Sequence, residues 1–231
     1  MVEWITASAP VGLPEAVAEM ERRVAAIAAG REDEAVWLLE HPPVLTTGTS
    51  GKPSDILDAQ IFPVHRVSRG GQVTYHGPGQ RIAYLMLDLN RRGRDVRRFV
   101  RAVEGWVIMT LAEFEIESCV RPGRVGVWTL MADGSECKIA AIGIRLRRWV
   151  SFHGVSINLS PELDHYRAII PCGIVDFGIT SMRELGCQAT RAQLDRCLKG
   201  NFDTAFGEAG QPVASAVPAG RPGSARGQTG G

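Results

Sequence analysis

Pro171-Cys172-Gly173 follows the apolar stretch Ala168 to Ile170. A cysteine between proline and glycine sits in a tight, sterically open bend, which suits an attacking sulfur, although free cysteines are more often buried and inert. A reactive thiol needs a lowered pKa, normally from a nearby cation or a helix N-terminus. Lys138 is one candidate cation. It opens an otherwise apolar strand, KIAAIGI, where a charge is costly unless it has a partner or a job. A strand-end lysine that snorkels to solvent is the plainer alternative. Only two other lysines occur, Lys52 and Lys199, in a chain that otherwise uses arginine. Lysine can shift its pKa when buried, whereas arginine stays protonated.

The densest cluster of functional types is Arg69 to Gln80, RGGQVTYHGPGQ, with four glycines and a proline in twelve residues. Glycine lets a backbone approach a ligand or take positive φ, so this composition suits a loop lining a pocket. It suits a punctuation-rich hairpin turn equally well. No Gly-Lys-Ser/Thr follows, so it is not a phosphate-binding Walker loop, and its spacing is not that of a dinucleotide fingerprint. The five histidines, His41, His65, His76, His153 and His165, form no His-x-x-x-His pair, which predicts no catalytic metal. His41, before Pro42 and Pro43, ends a strand and could face the same pocket. Six arginines fall within eleven residues: Arg91, Arg92, Arg94, Arg97, Arg98 and Arg101. They form either a solvated helix surface or a dock for an acidic partner.

The elements that must position these residues are legible as patterns. Pro14 to Ala29 reads as a helix with Val17, Met20, Val24 and Ile27 at helical spacing and Gly30 placed to end it. Asp95 to Phe114 reads as a second, with Asp95 as N-cap and a stripe of Val96, Val100, Val103, Val107 and Leu111; Arg94, Arg97, Arg98 and Arg101 then share the opposite face. A last helix should begin at Thr190, where Thr190 and Gln193 make a capping-box pattern before Leu194 and Leu198. Buried strands are expected at Ala35 to Glu40, Ile82 to Leu89 and Lys138 to Leu146, the last paired with Phe152 to Leu159. Strands and helices mix without regular alternation, which predicts an α/β fold of mixed α+β type.

Composition sets the outer bounds. The 231 residues are 45% hydrophobic, 22% charged and 6% aromatic, as in an ordinary globular protein able to bury roughly two thirds of its unfolded surface. A net charge of +1 argues against a general nucleic-acid binder. Five cysteines (Cys119, Cys137, Cys172, Cys187 and Cys197), odd in number and without a Cys-x-x-Cys pair, fit neither a disulfide framework nor a structural zinc site. No secretory signal and no membrane-spanning apolar run is apparent, so the expectation is a cytoplasmic protein with reduced thiols. From Glu208 to Gly231, 16 of 24 residues are Gly, Pro, Ala or Ser, which predicts a disordered tail beyond a single catalytic domain of residues 1–207.

Taken together, LEHPPVLTTG (39–48), RGGQVTYHGPGQ, GVW (126–128), KIAAIGIR, FHGVSINLSPELDHYRAIIPCGI and GITSM (178–182) closely resemble the octanoyltransferases of lipoate biosynthesis, the lipoyl(octanoyl) transferase family. The resemblance covers most of the chain to about residue 206. It implies the fold of the biotin/lipoate protein ligase catalytic domain, with mixed sheets packed with helices. It implies Cys172 as the nucleophile carrying the acyl group as a thioester, and Lys138 as the residue that lowers the thiol pKa. Substrate contacts would fall on Arg69, Gly70, Gly71, Gln72, Val73, Thr74, Tyr75 and His76, on Ala141, Ile142 and Gly143, and on Gly154, Val155 and Ser156. The donor would be octanoyl-acyl carrier protein, with no ATP, metal or other cofactor. The acceptors would be lipoyl domains of 2-oxo acid dehydrogenase complexes and the glycine cleavage H protein, with no nucleic acid or membrane partner, and the enzyme would be a monomer. Two rivals stay open on sequence: an ATP-dependent lipoate or octanoate ligase on the same fold, and a non-catalytic module that binds acyl carrier protein.

Overall fold

The computed structural model describes residues 1–170 and 177–207; Cys172 and the segment 208–231 lie outside them. Eleven strands and four α-helices follow one another along the described chain. They are β1 (Val2–Thr6), α1 (Leu13–Ala28), β2 (Glu34–Leu39), β3 (Val44–Thr47), β4 (Val64–Arg66), β5 (Val73–His76), β6 (Gln80–Met86), α2 (Val96–Ala112), β7 (Cys119–Arg121), β8 (Arg124–Leu130), β9 (Glu136–Arg147), β10 (Val150–Asn158), β11 (Gly178–Ile179), α3 (Arg191–Gly200) and α4 (Phe202–Phe206).

A large mixed sheet runs β1-β2-β6-β10-β9-β8-β7, with β11 added on β9, and a small sheet runs β4-β3-β5. The central strands β2, β6 and β10 are buried along their whole length; β2 and β6 carry unbroken apolar runs, AVWLL and IAYLM, whereas β10 (VSFHGVSIN) sets Ser, His and Asn among its apolar residues. Both faces are covered. Ala35, Trp37, Leu39, Ile82, Tyr84 and Phe152 meet Ala16, Met20, Val24 and Ile27 of α1. On the opposite face Val36, Leu38, Ala83 and Leu85 join α2, α3 and α4 through Trp106, Leu198 and Phe202. A bidentate ion pair, Arg81 to Asp195 at 2.7 Å for both contacts, fastens α3 to β6.

The helix signals act as their chemistry requires. After α1, Gly30 takes φ +70° while its N–H reaches Ile27 O and that of Arg31 reaches Ala26 O, closing the end in a Schellman pattern. Asp95 caps α2 by accepting the Arg98 N–H, and Thr190 with Gln193 forms the expected capping box on α3. The expected stripe on α2 needs correction. Val96 is exposed and Val100 only half-buried, while Phe99, Trp106 and Thr110 join Val103, Val107 and Leu111 in the core. Phe99 and Trp106, seven residues apart on one face, reach deeper than the valines, so the helix is rotated toward them. Arg94 also lies before the cap, at φ +53°, and so is not on the helix face.

Candidate active site

The glycine-rich segment does two things. Its second half, Gly77-Pro78-Gly79, turns the chain from β5 in the small sheet into β6 in the large one, with Gln80 N–H bonded to Gly77 O. Its first half, Arg69 to Gln72, folds over the middle of β9 and encloses a cavity of about 60 Å³ between the two sheets. Arg69 fixes that loop: buried, it donates from Nη2 to the Thr46 carbonyl and hydroxyl, both at 2.8 Å. The N–H groups of Gly48, Thr49 and Ser50 bond the carbonyls of Gln72, Arg69 and Gly71.

The cavity floor is made of small residues paired across β10 and β9: Gly154 faces Gly143 and Ser156 faces Ala141. With almost no side chain there, a slot opens where bulkier pairs would fill the space. A Cβ at Gly154 would overlap the Ala83 carbonyl oxygen, so glycine is required for β10 to approach β6. Leu13, Val67, Ile82 and Tyr84 add apolar wall. Val155 and Ile142 also border the slot, yet their side chains pack in the core beneath α2, so their backbone forms the wall.

Two histidines line the cavity, and burial governs both. His76 Nδ1–H donates to Gln80 Oε1 at 2.6 Å, leaving Nε2 as the acceptor. Gln80 in turn donates to Tyr166 Oη (2.7 Å) and Asn158 Oδ1 (3.0 Å), and Asn158 Nδ2 donates to Thr180 O. Loss of solvation, helped by the charge of Arg69, pushes His76 down to about 3, and His153 also to about 3. Both rings are therefore neutral near pH 7. His41 stands behind the wall, donating from Nδ1 to Val11 O and accepting at Nε2 from Tyr84 Oη; burial lowers its pKa too.

Of the residues expected to touch substrate, Arg69, Gly70, Gly71, Gln72, Val73, Thr74, His76, Ala141, Ile142, Gly143, Gly154, Val155 and Ser156 all line this one cavity. Tyr75 does not. It packs with Leu45 and Tyr166 in the small sheet's outer core, and its hydroxyl bonds His165 Nδ1 at 2.7 Å. Lys138 does not line the slot either, though it is buried on the same strand three residues before Ala141, with Nζ 4.8 Å from the Trp128 ring centre. Strand β11 pairs Ile179 with Lys138, and Thr180 N–H bonds Lys138 O, so the chain beyond residue 177 is tied to the lysine's strand. Cys172 lies outside the described residues. Leu13, Thr46, Tyr84 and His153 also line the cavity, although none of them was expected as a substrate contact.

A sequence model of the lipoyl protein ligase A/B catalytic domain matches residues 14–203. A protein of Jannaschia sp. named octanoyltransferase is 58% identical over 90% of this chain and 100% of its own length. The chain belongs to the lipoyl protein ligase A/B catalytic domain family. Another family member named octanoyltransferase, from Paracoccus denitrificans, is 56% identical over 89% of this chain and 98% of its own length. Among solved structures, a putative lipoate protein ligase of T. acidophilum with bound lipoic acid is similar in fold, with a TM-score of 0.64 at 13% identity, covering 89% of this chain and 85% of that one. The biotin protein ligase of Aquifex aeolicus in complex with biotin and ATP shares the architecture more loosely, with a TM-score of 0.52 at 13% identity over 89% and 69% of the two chains. The family's fold is thus the biotin and lipoate ligase fold. No helix among the described residues is long and apolar enough to cross a membrane.

Proposed function

We propose that this chain is an octanoyltransferase that moves an octanoyl group from acyl carrier protein to a lipoyl-domain lysine through a thioester on Cys172. The observation that carries this reading is its 58% identity, over the full length of the relative, to a protein named octanoyltransferase. A slot floored by Gly143, Gly154, Ala141 and Ser156 supports it, because a narrow, largely apolar groove suits a straight acyl chain. The Cys172 thiolate attacks the donor thioester carbon, a tetrahedral oxyanion forms, and the phosphopantetheine thiolate leaves. The acceptor amine then attacks the acyl-enzyme, loses one proton, and expels the Cys172 thiolate as the amide forms. Lys138 stabilises the thiolate in the first half and manages the amine proton in the second. A thioester donor already carries the activation, so no ATP is needed. The catalytic unit is residues 1–207, acting in the cytoplasm on lipoyl domains of 2-oxo acid dehydrogenases and on the glycine cleavage H protein.

Incubation with octanoyl-acyl carrier protein without ATP, followed by intact-mass measurement, tests this. The expected result is one octanoyl adduct on the full chain and on a chain ending at Gly207, absent in Cys172→Ser. Activity that appears only with free octanoate and ATP would establish the ligase reading instead.

A further inference from the structure

A buried chain of side-chain amides runs from the strand that carries Lys138 to the wall of the cavity. Thr180 N–H bonds Lys138 O, and Asn158 Nδ2 donates to the Thr180 carbonyl at 2.9 Å. Gln80 Nε2 donates to Asn158 Oδ1 at 3.0 Å and to Tyr166 Oη at 2.7 Å, and Tyr166 Oη donates to Asn158 Oδ1 at 3.2 Å. The chain ends where Gln80 Oε1 meets His76 Nδ1 at 2.6 Å. Gln80, Asn158, Tyr166 and Thr180 are all buried, so a mismatched pair among them has no solvent to turn to.

The order of this chain decides which ring nitrogen of His76 carries the hydrogen. A main-chain carbonyl only accepts, so Asn158 must turn its amide nitrogen to Thr180 and its oxygen to Gln80. That oxygen makes Gln80 present Nε2 to it and Oε1 to the ring, and the ring must then donate from Nδ1. Reversing either amide sets oxygen against oxygen. A peptide carbonyl thus fixes the His76 tautomer through two intervening amides.

Nε2 keeps its lone pair, and among the described residues it has no hydrogen-bond partner, while the ring lines the cavity. The sheet sets its place along the slot. Gly154 faces Gly143, Ser156 faces Ala141 and Ile157 faces Ala140, so the next residue, Asn158, lies toward Lys138. The ring that Gln80 joins to Asn158 therefore stands toward the Lys138 end, away from the two glycines. Loss of solvation keeps that ring neutral, so it accepts a hydrogen bond without taking the proton. An octanoyl chain and its thioester carry no N–H. In the proposed reaction the groups that do are the amides of the donor's pantetheine arm and the amine of the acceptor lysine.

We propose that Gln80 and Asn158 are positioning residues that hold His76 as the Nδ1–H tautomer, so that its Nε2 accepts an N–H of a substrate at the Lys138 end of the slot. The substrate half of this inference rests on the transfer reading above; the tautomer half needs no substrate.

Ring ¹⁵N NMR at pH 7, with His76→Asn identifying the signals, should show hydrogen on Nδ1 and a bare Nε2 in the wild type. Asn158→Leu and Gln80→Leu should each give mixed tautomers. Hydrogen on Nε2 in the wild type overturns the proposal whatever the variants do, and so does an unchanged tautomer in folded Asn158→Leu and Gln80→Leu. For the substrate half, intact mass follows acylation of Cys172 by octanoyl-acyl carrier protein, then deacylation of the isolated acyl-enzyme by an apo lipoyl domain. The Asn side chain reaches only the place of Nδ1, whereas that of Gln reaches the place of Nε2. His76→Asn should slow one half-reaction about 10-fold, the worth of one hydrogen bond, and His76→Gln should recover most of it. Slowed acylation identifies the pantetheine amide as the donor of the N–H, and slowed deacylation identifies the lysine amine. Wild-type rates in both halves overturn the proposal, as does a loss in His76→Asn that His76→Gln fails to relieve. A wild type that forms no octanoyl adduct sinks the transfer reading and leaves the tautomer result standing.

Discussion

His76 and His153 wall the cavity as neutral rings, and that neutrality makes stability depend on pH. Each is held at about 3 by burial, against the usual 6.5 of a solvated imidazole. Between those values the unfolded chain binds protons that the native chain refuses, so stability is lost as pH falls, by at most about 1.4 kcal/mol per pH unit for the buried His153 ring and by less for the half-buried His76. His41, lowered by the same cause, acts in the same direction. Carboxylates bring their own loss only nearer their ordinary range, so the window from pH 6.5 to 5 isolates the histidines. Urea unfolding at pH 7, 6 and 5 should show a falling midpoint, and His153→Gln should flatten the dependence; an unchanged slope in that variant would mean the ring is protonated in the native state. Which residue types gather here was legible in the sequence, because glycine, arginine and histidine are dense from Arg69 to His76. Which of them face the cavity was not. In β5 alternate side chains point oppositely, so Tyr75 joins Leu45 and Tyr166 while Thr74 and His76 turn inward. The environment of His153, at φ +59° under the Arg69 loop, depends on contacts 84 positions apart and leaves no local trace.

At the scale of elements, the slot is defined by two facing glycines on adjacent strands, and they fail differently when filled. At Gly154 a Cβ would run into the backbone of β6, which cannot yield without parting two fully buried strands. At Gly143 it would meet Gly70 O at 3.1 Å and Arg69 Cδ at 3.2 Å, both in a loop that can shift. Gly154→Ala should therefore lose about 2 kcal/mol or more of folding stability. Gly143→Ala should unfold within about 1 kcal/mol of the wild type but narrow the slot, raising the KM for octanoyl donor relative to a shorter acyl donor. Chemical denaturation together with kinetics on two chain lengths separates the cases; equal destabilisation by both would show that the Arg69 loop is as rigid as the sheet. The strands β2 and β6 were legible because their buried stretches, AVWLL and IAYLM, are continuously apolar. A bulge in β9, where Val127 pairs with Ala140 but Trp128 with Lys138, was not, since KIAAIGI reads the same with or without an extra residue; only the pairing with Trp128 shows it. The rotation of α2 toward Phe99 and Trp106 was likewise hidden, because valine spacing alone fits two helix faces about equally well.

For the molecule as a whole, the arginine-rich stretch and the cavity lie on opposite layers. Helix α2 packs on one face of the large sheet, while the slot opens on the face that α1 and the small sheet share. Part of the cluster is structural: Arg92 pairs with the buried Glu34, and Arg94 donates to Asn90 and stands over Trp149. Arg97, Arg98 and Arg101 remain on the exposed side of α2. A patch placed there cannot hold an acidic carrier against the slot mouth, so its influence on a donor must act through the long-range field. That field reaches roughly 30 Å at 0.01 M salt but only about 8 Å at 0.15 M. With a net charge of only +1, reversing three arginines changes its sign, to about −5, since each Arg→Glu exchange removes two units. The Arg97→Glu, Arg98→Glu, Arg101→Glu variant should thus raise the KM for octanoyl-acyl carrier protein several-fold at 0.01 M salt, leave kcat unchanged, and match the wild type by 0.15 M. Steady-state kinetics across a salt series checks this. A KM defect that persists at 0.15 M would show direct contact between the carrier and α2, and no defect at any salt would make these arginines a solvated surface.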